Sequence, residues 1–146
     1  MPDIPQAPAP APAPSCPSTV YFDGSCPLCR AEIDYYRRKD DAGALCFVDV
    51  SQSPDTLAEG LTRQAAMERF HVRAPDGQLL SGAVAFVAVW QRLPAWRWAA
   101  RAAALPGALR ILELGYRLFL PVRPVLSRLA GTALRWRARR GTPWGR

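Results

Sequence analysis

The chain has 146 residues, 49% of them hydrophobic, and a formal net charge of +7, which suits one packed domain with flanking tails. No uncharged apolar run reaches the roughly 18 residues that a membrane-spanning helix needs, and the N-terminus lacks the basic start and apolar core of a secretory signal, so a cytoplasmic setting is expected. The charge is unevenly divided: residues 1–91 carry 7 basic and 11 acidic side chains, a balance of −4, whereas residues 92–146 carry 12 arginines and one acid, Glu113, a balance of +11. An anionic partner, whether nucleic acid or a membrane surface met peripherally, could therefore be drawn only by the last third.

In chain order, residues 1–17 are a proline-alanine tail that favours extended conformations and cannot bury a core; Cys16 within it reads as a free, exposed thiol. Residues 18–23 form a first strand and residues 27–39 a first helix, with Leu28, Ala31 and Tyr35 on one stripe and Cys29, Ile33 and Tyr36 on the next. The near-continuous apolar run Ala44-Leu45-Cys46-Phe47-Val48-Asp49-Val50 suits a strand of a parallel sheet and completes a βαβ unit, with Cys46 as core filler. Residues 51–66 read as a polar loop with short helical pieces, Ser53 capping one that starts at Pro54. Next, Glu68 to Arg73 alternates, placing Phe70 and Val72 inward and His71 outward, and Ala74-Pro75-Asp76-Gly77 turns the chain into Gln78-Leu79-Leu80, a β-hairpin.

Ser81 is a candidate cap for a helix over residues 82–92 that is apolar all round and therefore buried on several sides. A short helix over 95–104 carries Arg97 and Arg101 at i,i+4. An amphipathic helix over 108–120 turns Leu109, Leu112, Tyr116 and Phe119 or Leu120 to the core, and Arg110, Glu113 and Arg117 outward. Pro121 and Pro124 disturb that helix, and residues 128–146 read as a basic Arg/Trp tail, frayed over 135–140.

The chemistry concentrates in Asp23-Gly24-Ser25-Cys26-Pro27-Leu28-Cys29. Asp23-Gly24 is turn chemistry, and Pro27 stands in the first helical turn, where its missing N–H costs nothing. Cys26 thus falls at a helix N-terminus, whose unpaired N–H groups and dipole favour an anion and lower a thiol's pKa. Cys29, one turn on, is near enough to form a disulfide with it. These positions make Cys26 the attacking and Cys29 the resolving thiol of a disulfide exchange. Asp23 has two readings, a proton carrier for Cys29 or an Asx-turn residue shaping the loop. Four cysteines without a secretion signal argue against a disulfide framework.

Strand, helix, strand, hairpin and helix in this order, with C-x-x-C after the first strand, suggest an α/β fold: a thioredoxin-like mixed sheet, βαβ then ββα, with additional C-terminal helices. The Asp-x-x-Cys-x-x-Cys of Asp23, Cys26 and Cys29, the downstream Asp76, Gly77, Gly82, Ala83, Ala85 and Phe86, and Leu93-Pro94-Ala95-Trp96-Arg97 with Tyr116 resemble the DCC family of thiol-disulfide oxidoreductases, also called DUF393. The resemblance spans about residues 18 to 125 and implies a thioredoxin-like domain over 18–127 with redox activity at the two cysteines, acting on a disulfide-containing protein or a small thiol substrate, without cofactor or metal. The chain departs from ordinary thioredoxins in two places: Met67-Glu68-Arg69-Phe70-His71 lacks the proline that precedes their third strand, and Ser25 stands where they have tryptophan. Two other readings are a zinc site that adds Cys16, Cys46 or His71 to the pair, and a binding module in which arginines with Trp96, Trp98, Trp136 and Trp144 contact nucleic acid or anionic lipid.

Overall fold

A computed structural model describes residues 16–58 and 60–140; all but the last two residues of the tail expected over residues 1–17, and the terminal residues with Trp144, lie outside them. Strand β1 (Ser18–Phe22) is the hub. It pairs in parallel with β2 (Leu45–Asp49) and antiparallel with β5 (His71–Arg73), which pairs antiparallel with β6 (Leu79–Ser81), giving a mixed sheet of order β2-β1-β5-β6. The crossover between β1 and β2 is α1 (Pro27–Lys39). Arg37, Arg38 and Lys39 occupy its last turn, where the dipole favours cations. Beyond it, both carboxylate oxygens of Asp40 are used, accepting from the N–H groups of Ala44 and Leu45 at 2.9 Å and setting the entry to β2.

One face of the sheet offers Val20, Phe22 and Val72 to Ile33 and Tyr36 of α1 and to Ala85, Val89 and Leu93, from α3 (Ala83–Arg92) and the residue after it. Of the two stripes on α1, it is the one with Ile33 and Tyr36 that is buried. Each fully buried valine, leucine or isoleucine here contributes about 1.5–3 kcal/mol. The other face carries Tyr21 against Val50, Leu61 and Ala66.

That second face corrects the reading of His71. The alternation is right, since His71 lies opposite Tyr21 in register and Val72 opposite Val20. Both faces are covered, however, so His71 is buried at 8% exposure with Nδ1 2.8 Å from the carbonyl of Arg69, and burial lowers its pKa. The covering comes from residues 50–68: a 3-10 turn (Val50–Gln52), the ribbon β3 (Thr56–Ala58) and β4 (Leu61–Thr62), and α2 (Arg63–Glu68). Thr62, not Ser53, caps the helix there; Ser53 Oγ donates to the carbonyl of Asp49 instead.

Two cysteine readings are also corrected. Cys16 and Cys46 form a disulfide across a Cα separation of 5.6 Å, so Cys16 is neither free nor fully exposed and Cys46 is half-buried rather than core. β2 is an edge strand, and Ser18 N–H donates to the carbonyl of Ala44, which brings the segment before β1 alongside Cys46 at a span a disulfide can bridge. Register puts this bond beside the start of β1, at the opposite end from Cys26.

The C-terminal part is helical throughout: α3, a 3-10 turn (Pro94–Trp96), α4 (Arg97–Ala103), α5 (Ala108–Phe119) and α6 (Arg123–Arg140). The basic segment read as a frayed tail is thus helix to residue 140; Pro124 lies in its first turn, where proline is tolerated, and Gly131 packs beside Pro27 of α1. Ser81 does not cap α3. The capping residue is Gly82, at φ 70°, a conformation that favours glycine, and a Cβ there would collide with Arg69 and Glu113. Glu113 Oε2 supplies the missing cap, accepting from Ala83 N–H at 3.0 Å, while Oε1 takes Arg69 at 2.6 Å and Arg117 at 3.1 Å. Glu113 therefore faces inward, contrary to its sequence reading.

These bonds, the one from Ala83 N–H foremost, hold the Glu113 carboxyl at about 2. A carboxyl depressed in the folded state stabilises it above the unfolded value, and this contribution is lost as pH falls toward the folded value. Glu113→Gln is expected to cost about 1–2 kcal/mol at pH 7 in urea unfolding, allowing for partial exposure. The gap between the two proteins should narrow between pH 4.5 and about 2.

Candidate active site

The loop after β1 is built by two carboxylates. Asp23 Oδ1 accepts from Ser25 N–H at 2.9 Å and from Ser25 Oγ, the Asx-turn geometry expected of Asp before Gly. Asp49, opposite Phe22 in register, accepts Gly24 N–H at 2.9 Å, and a Cβ at Gly24 would collide with that carboxylate. Burial pushes the Asp49 carboxyl up, but hydrogen bonds from Ser51 and Gly24 outweigh it and keep it low.

Cys26 is the N-cap residue of α1. Its Sγ takes the place of a capping oxygen, accepting from Cys29 N–H at 3.3 Å. It also accepts from Cys29 Sγ at 2.7 Å and from Ser127 Oγ at 3.3 Å. Burial, to 6% exposure, works against a thiolate, yet the donors of Cys29 and Ser127, with Arg123 beside them, bring the Cys26 pKa below the ordinary thiol value. Cys29 goes the other way. Burial first, and then its role as donor to Cys26, push it up to about 12, with Arg123 opposing. The pair thus contains one thiol prepared to ionise and one that holds its proton.

Arg123 and Ser127, from the first turns of α6, were not identified from sequence. The Arg123 guanidinium lies 3.2 Å from Cys29 Sγ, 3.3 Å from Asp23 Oδ2 and 3.2 Å from the Met67 carbonyl. It is mostly buried; burial works against its charge, but the neighbouring thiols outweigh that and raise its pKa. Asp23, Cys26 and Cys29 therefore do come together, and the group that joins them is Arg123. The only hint in the sequence is an arginine and a serine spaced i,i+4 on either side of Pro124.

Two spaces adjoin the thiols. A groove of about 440 Å³ runs beside Cys26, with Met67, Glu68, Leu120, Arg123 and Arg128 among its walls. Behind Cys29 is a small cavity of about 40 Å³, room for a water, bounded by Glu32, Tyr116 and Arg123 among others. Glu32 Oε1 accepts from Tyr36 Oη at 2.7 Å, and burial raises its pKa. Among the described residues no group of three or more His, Cys, Asp or Glu side chains is arranged to hold a metal. Two of the extra ligands the zinc reading drew on, Cys16 and Cys46, are bonded to each other.

A C-x-x-C pair heading the first helix, directly after the central strand of this mixed sheet, defines the thioredoxin-like class. Within that class, the chain belongs to the DCC1-like thiol-disulfide oxidoreductase family, which it matches over residues 20–129, a span that takes in Arg123 and Ser127. It is also similar to an uncharacterised chloroplastic protein of Arabidopsis thaliana, with 32% identity over 78 residues. That match covers 51% of this chain and 36% of the relative, so the chain aligns with about a third of the plant protein's length. No solved structure matches the chain.

Proposed function

We propose that the protein is a dithiol–disulfide oxidoreductase in which Cys26 attacks and Cys29 resolves. The observation that carries this reading is the placement of the two sulfurs: Cys26 Sγ caps α1 and accepts from Cys29 N–H, Cys29 Sγ and Ser127 Oγ, while the Arg123 guanidinium lies 3.2 Å from Cys29 Sγ, an arrangement that favours the thiolate at Cys26 and the proton at Cys29. The Cys26 thiolate attacks one sulfur of a substrate disulfide; a Cys26–substrate bond forms and the other substrate sulfur leaves as thiolate. Cys29 then loses its proton and attacks Cys26 Sγ, releasing the second substrate thiolate. Two electrons have passed to the substrate, and the protein holds a Cys26–Cys29 disulfide.

Arg123 serves both steps. It favours the Cys26 thiolate at rest. Once Cys26 is in the mixed disulfide, its negative charge no longer opposes ionisation of Cys29, while the guanidinium 3.2 Å from Cys29 Sγ stays to stabilise that thiolate. Asp23 contributes by shaping the loop and orienting Arg123. A disulfide-bearing substrate, a protein segment or a small thiol compound, would reach Cys26 through the adjoining groove.

The reading is tested by mixing reduced protein with glutathione disulfide and following glutathione release. Release with protein oxidation supports it; no exchange at neutral pH rejects it.

A further inference from the structure

Among the described residues, every exposed large apolar side chain except Val84 lies between Trp98 and Trp136. The same stretch holds six of the twelve arginines of residues 92–146. This coincidence is unusual for a solvated face, which exposes apolar residues singly.

On α5 the residues fall into three strips at about 100° per residue. Leu112, Tyr116 and Phe119 turn inward. Arg110, Glu113 and Arg117 form a polar strip. The third strip is again apolar and open: Ile111 is 72% exposed, Leu114 59% and Leu118 67%. An amphipathic helix that only covers a core would be polar there. On α6, Arg123 and Ser127 turn to the thiols, and the far side carries Val125, Leu129 and Trp136, exposed by 56%, 61% and 53%. Arg128, Arg135 and Arg139 flank that strip along one edge, and the Arg140 guanidinium lies 3.4 Å from the centre of the Trp136 ring.

The geometry points to an anionic lipid surface as the occupant of these helix faces. The apolar strips would enter the boundary between headgroups and acyl chains, and the arginines beside them would reach lipid phosphates. No helix among the described residues is long and apolar enough to cross a membrane, so the helices would lie on it. Charge selects this occupant. The one acid of residues 92–146, Glu113, is already paired with Arg69 and Arg117, so a second copy of the chain would meet the same positive field. Nucleic acid would reward the arginines, but it gives no return for Ile111, Leu114 and Leu118. The inference does not depend on the cysteines exchanging disulfides.

The test is co-sedimentation of the full chain with vesicles of phosphatidylglycerol and phosphatidylcholine, against vesicles of phosphatidylcholine alone. Binding at least about tenfold stronger to the anionic vesicles is expected. Leu114→Glu with Leu118→Glu should weaken it about tenfold or more, with glutathione disulfide exchange and the circular dichroism spectrum unchanged. Three results would overturn the proposal: no binding to anionic vesicles, binding that the double variant keeps in full, or a dimer in sedimentation velocity that the double variant abolishes while vesicles are ignored.

Discussion

Cys26→Ser is expected to abolish disulfide exchange, lowering the rate about a thousandfold or more, whereas Cys29→Ser should carry out the first step and stop. The asymmetry follows from position. Cys26 Sγ collects the donors of Cys29, Ser127 and the helix N-terminus, and nothing else at the site is so prepared to be an anion. A serine at 26 has no accessible anion at neutral pH. A serine at 29 still offers a hydroxyl donor to Cys26, so the first attack should proceed within about tenfold of the normal rate. It cannot displace the substrate, and the mixed disulfide at Cys26 should accumulate. Intact-mass measurement after mixing with glutathione disulfide reads both outcomes: no adduct for Cys26→Ser, and one glutathione per chain for Cys29→Ser. An adduct on the Cys26→Ser protein at wild-type rate would reverse the assignment of roles.

Arg123→Met should have the next largest effect, a fall of about ten- to a hundredfold in exchange at pH 7, because it removes the charge-assisted hydrogen bond that would stabilise the Cys29 thiolate and the positive charge that favours the Cys26 thiolate beside it. The pH profile separates this from a merely structural role. Arg123 lowers the pKa of Cys26, so removing it should move the inflection of Cys26 alkylation to higher pH. The alkylation rate at pH 7 should fall less than the exchange rate does, about three- to tenfold, since alkylation reads Cys26 alone whereas exchange also needs the Cys29 thiolate that Arg123 stabilises. Arg123→Lys should recover part of the loss: it keeps the charge but cannot span Met67, Asp23 and Cys29 with one planar fork. An unchanged inflection in the methionine variant would show that Arg123 holds α6 in place and does nothing for the thiols.

The site was legible in the sequence where its parts are local. A turn dipeptide, a proline in the first helical turn and two cysteines at i,i+3 are short-range signals, and the loop, the N-cap position of Cys26 and the inward turn of Cys29 all follow from them. The hairpin around Pro75-Asp76-Gly77 was legible for the same reason. Arg123 and Ser127 were not, since they meet the cysteines across 94 and 101 residues of chain. Helical spacing says which side chains share a face but not what that face packs against. Pro121 and Pro124 read as an interruption, when Pro121 lies in the short link after α5 and Pro124 in the first turn of α6, which begins beside the thiols. Glu113 was misread for a related reason: on α5 it falls on the polar strip, and only the approach of α3 supplies the N–H that turns it inward. Likewise His71 was placed on the correct side of its strand but not recognised as buried, because the cover over that face comes from residues 50–68, whose polarity reads as loop. The Cys16–Cys46 bond joins a segment that looks like linker to an edge strand, a pairing set by β1–β2 register rather than by composition.

The most direct test of the redox assignment is peptide mapping of the protein after exposure to a glutathione disulfide buffer, with free thiols trapped by alkylation at acid pH. The expected result is a bond linking Cys26 to Cys29 that forms and is lost reversibly as the buffer is made more oxidising or more reducing, while the Cys16–Cys46 bond does not follow it. Cys26 and Cys29 both fully alkylated at every buffer composition would contradict the assignment.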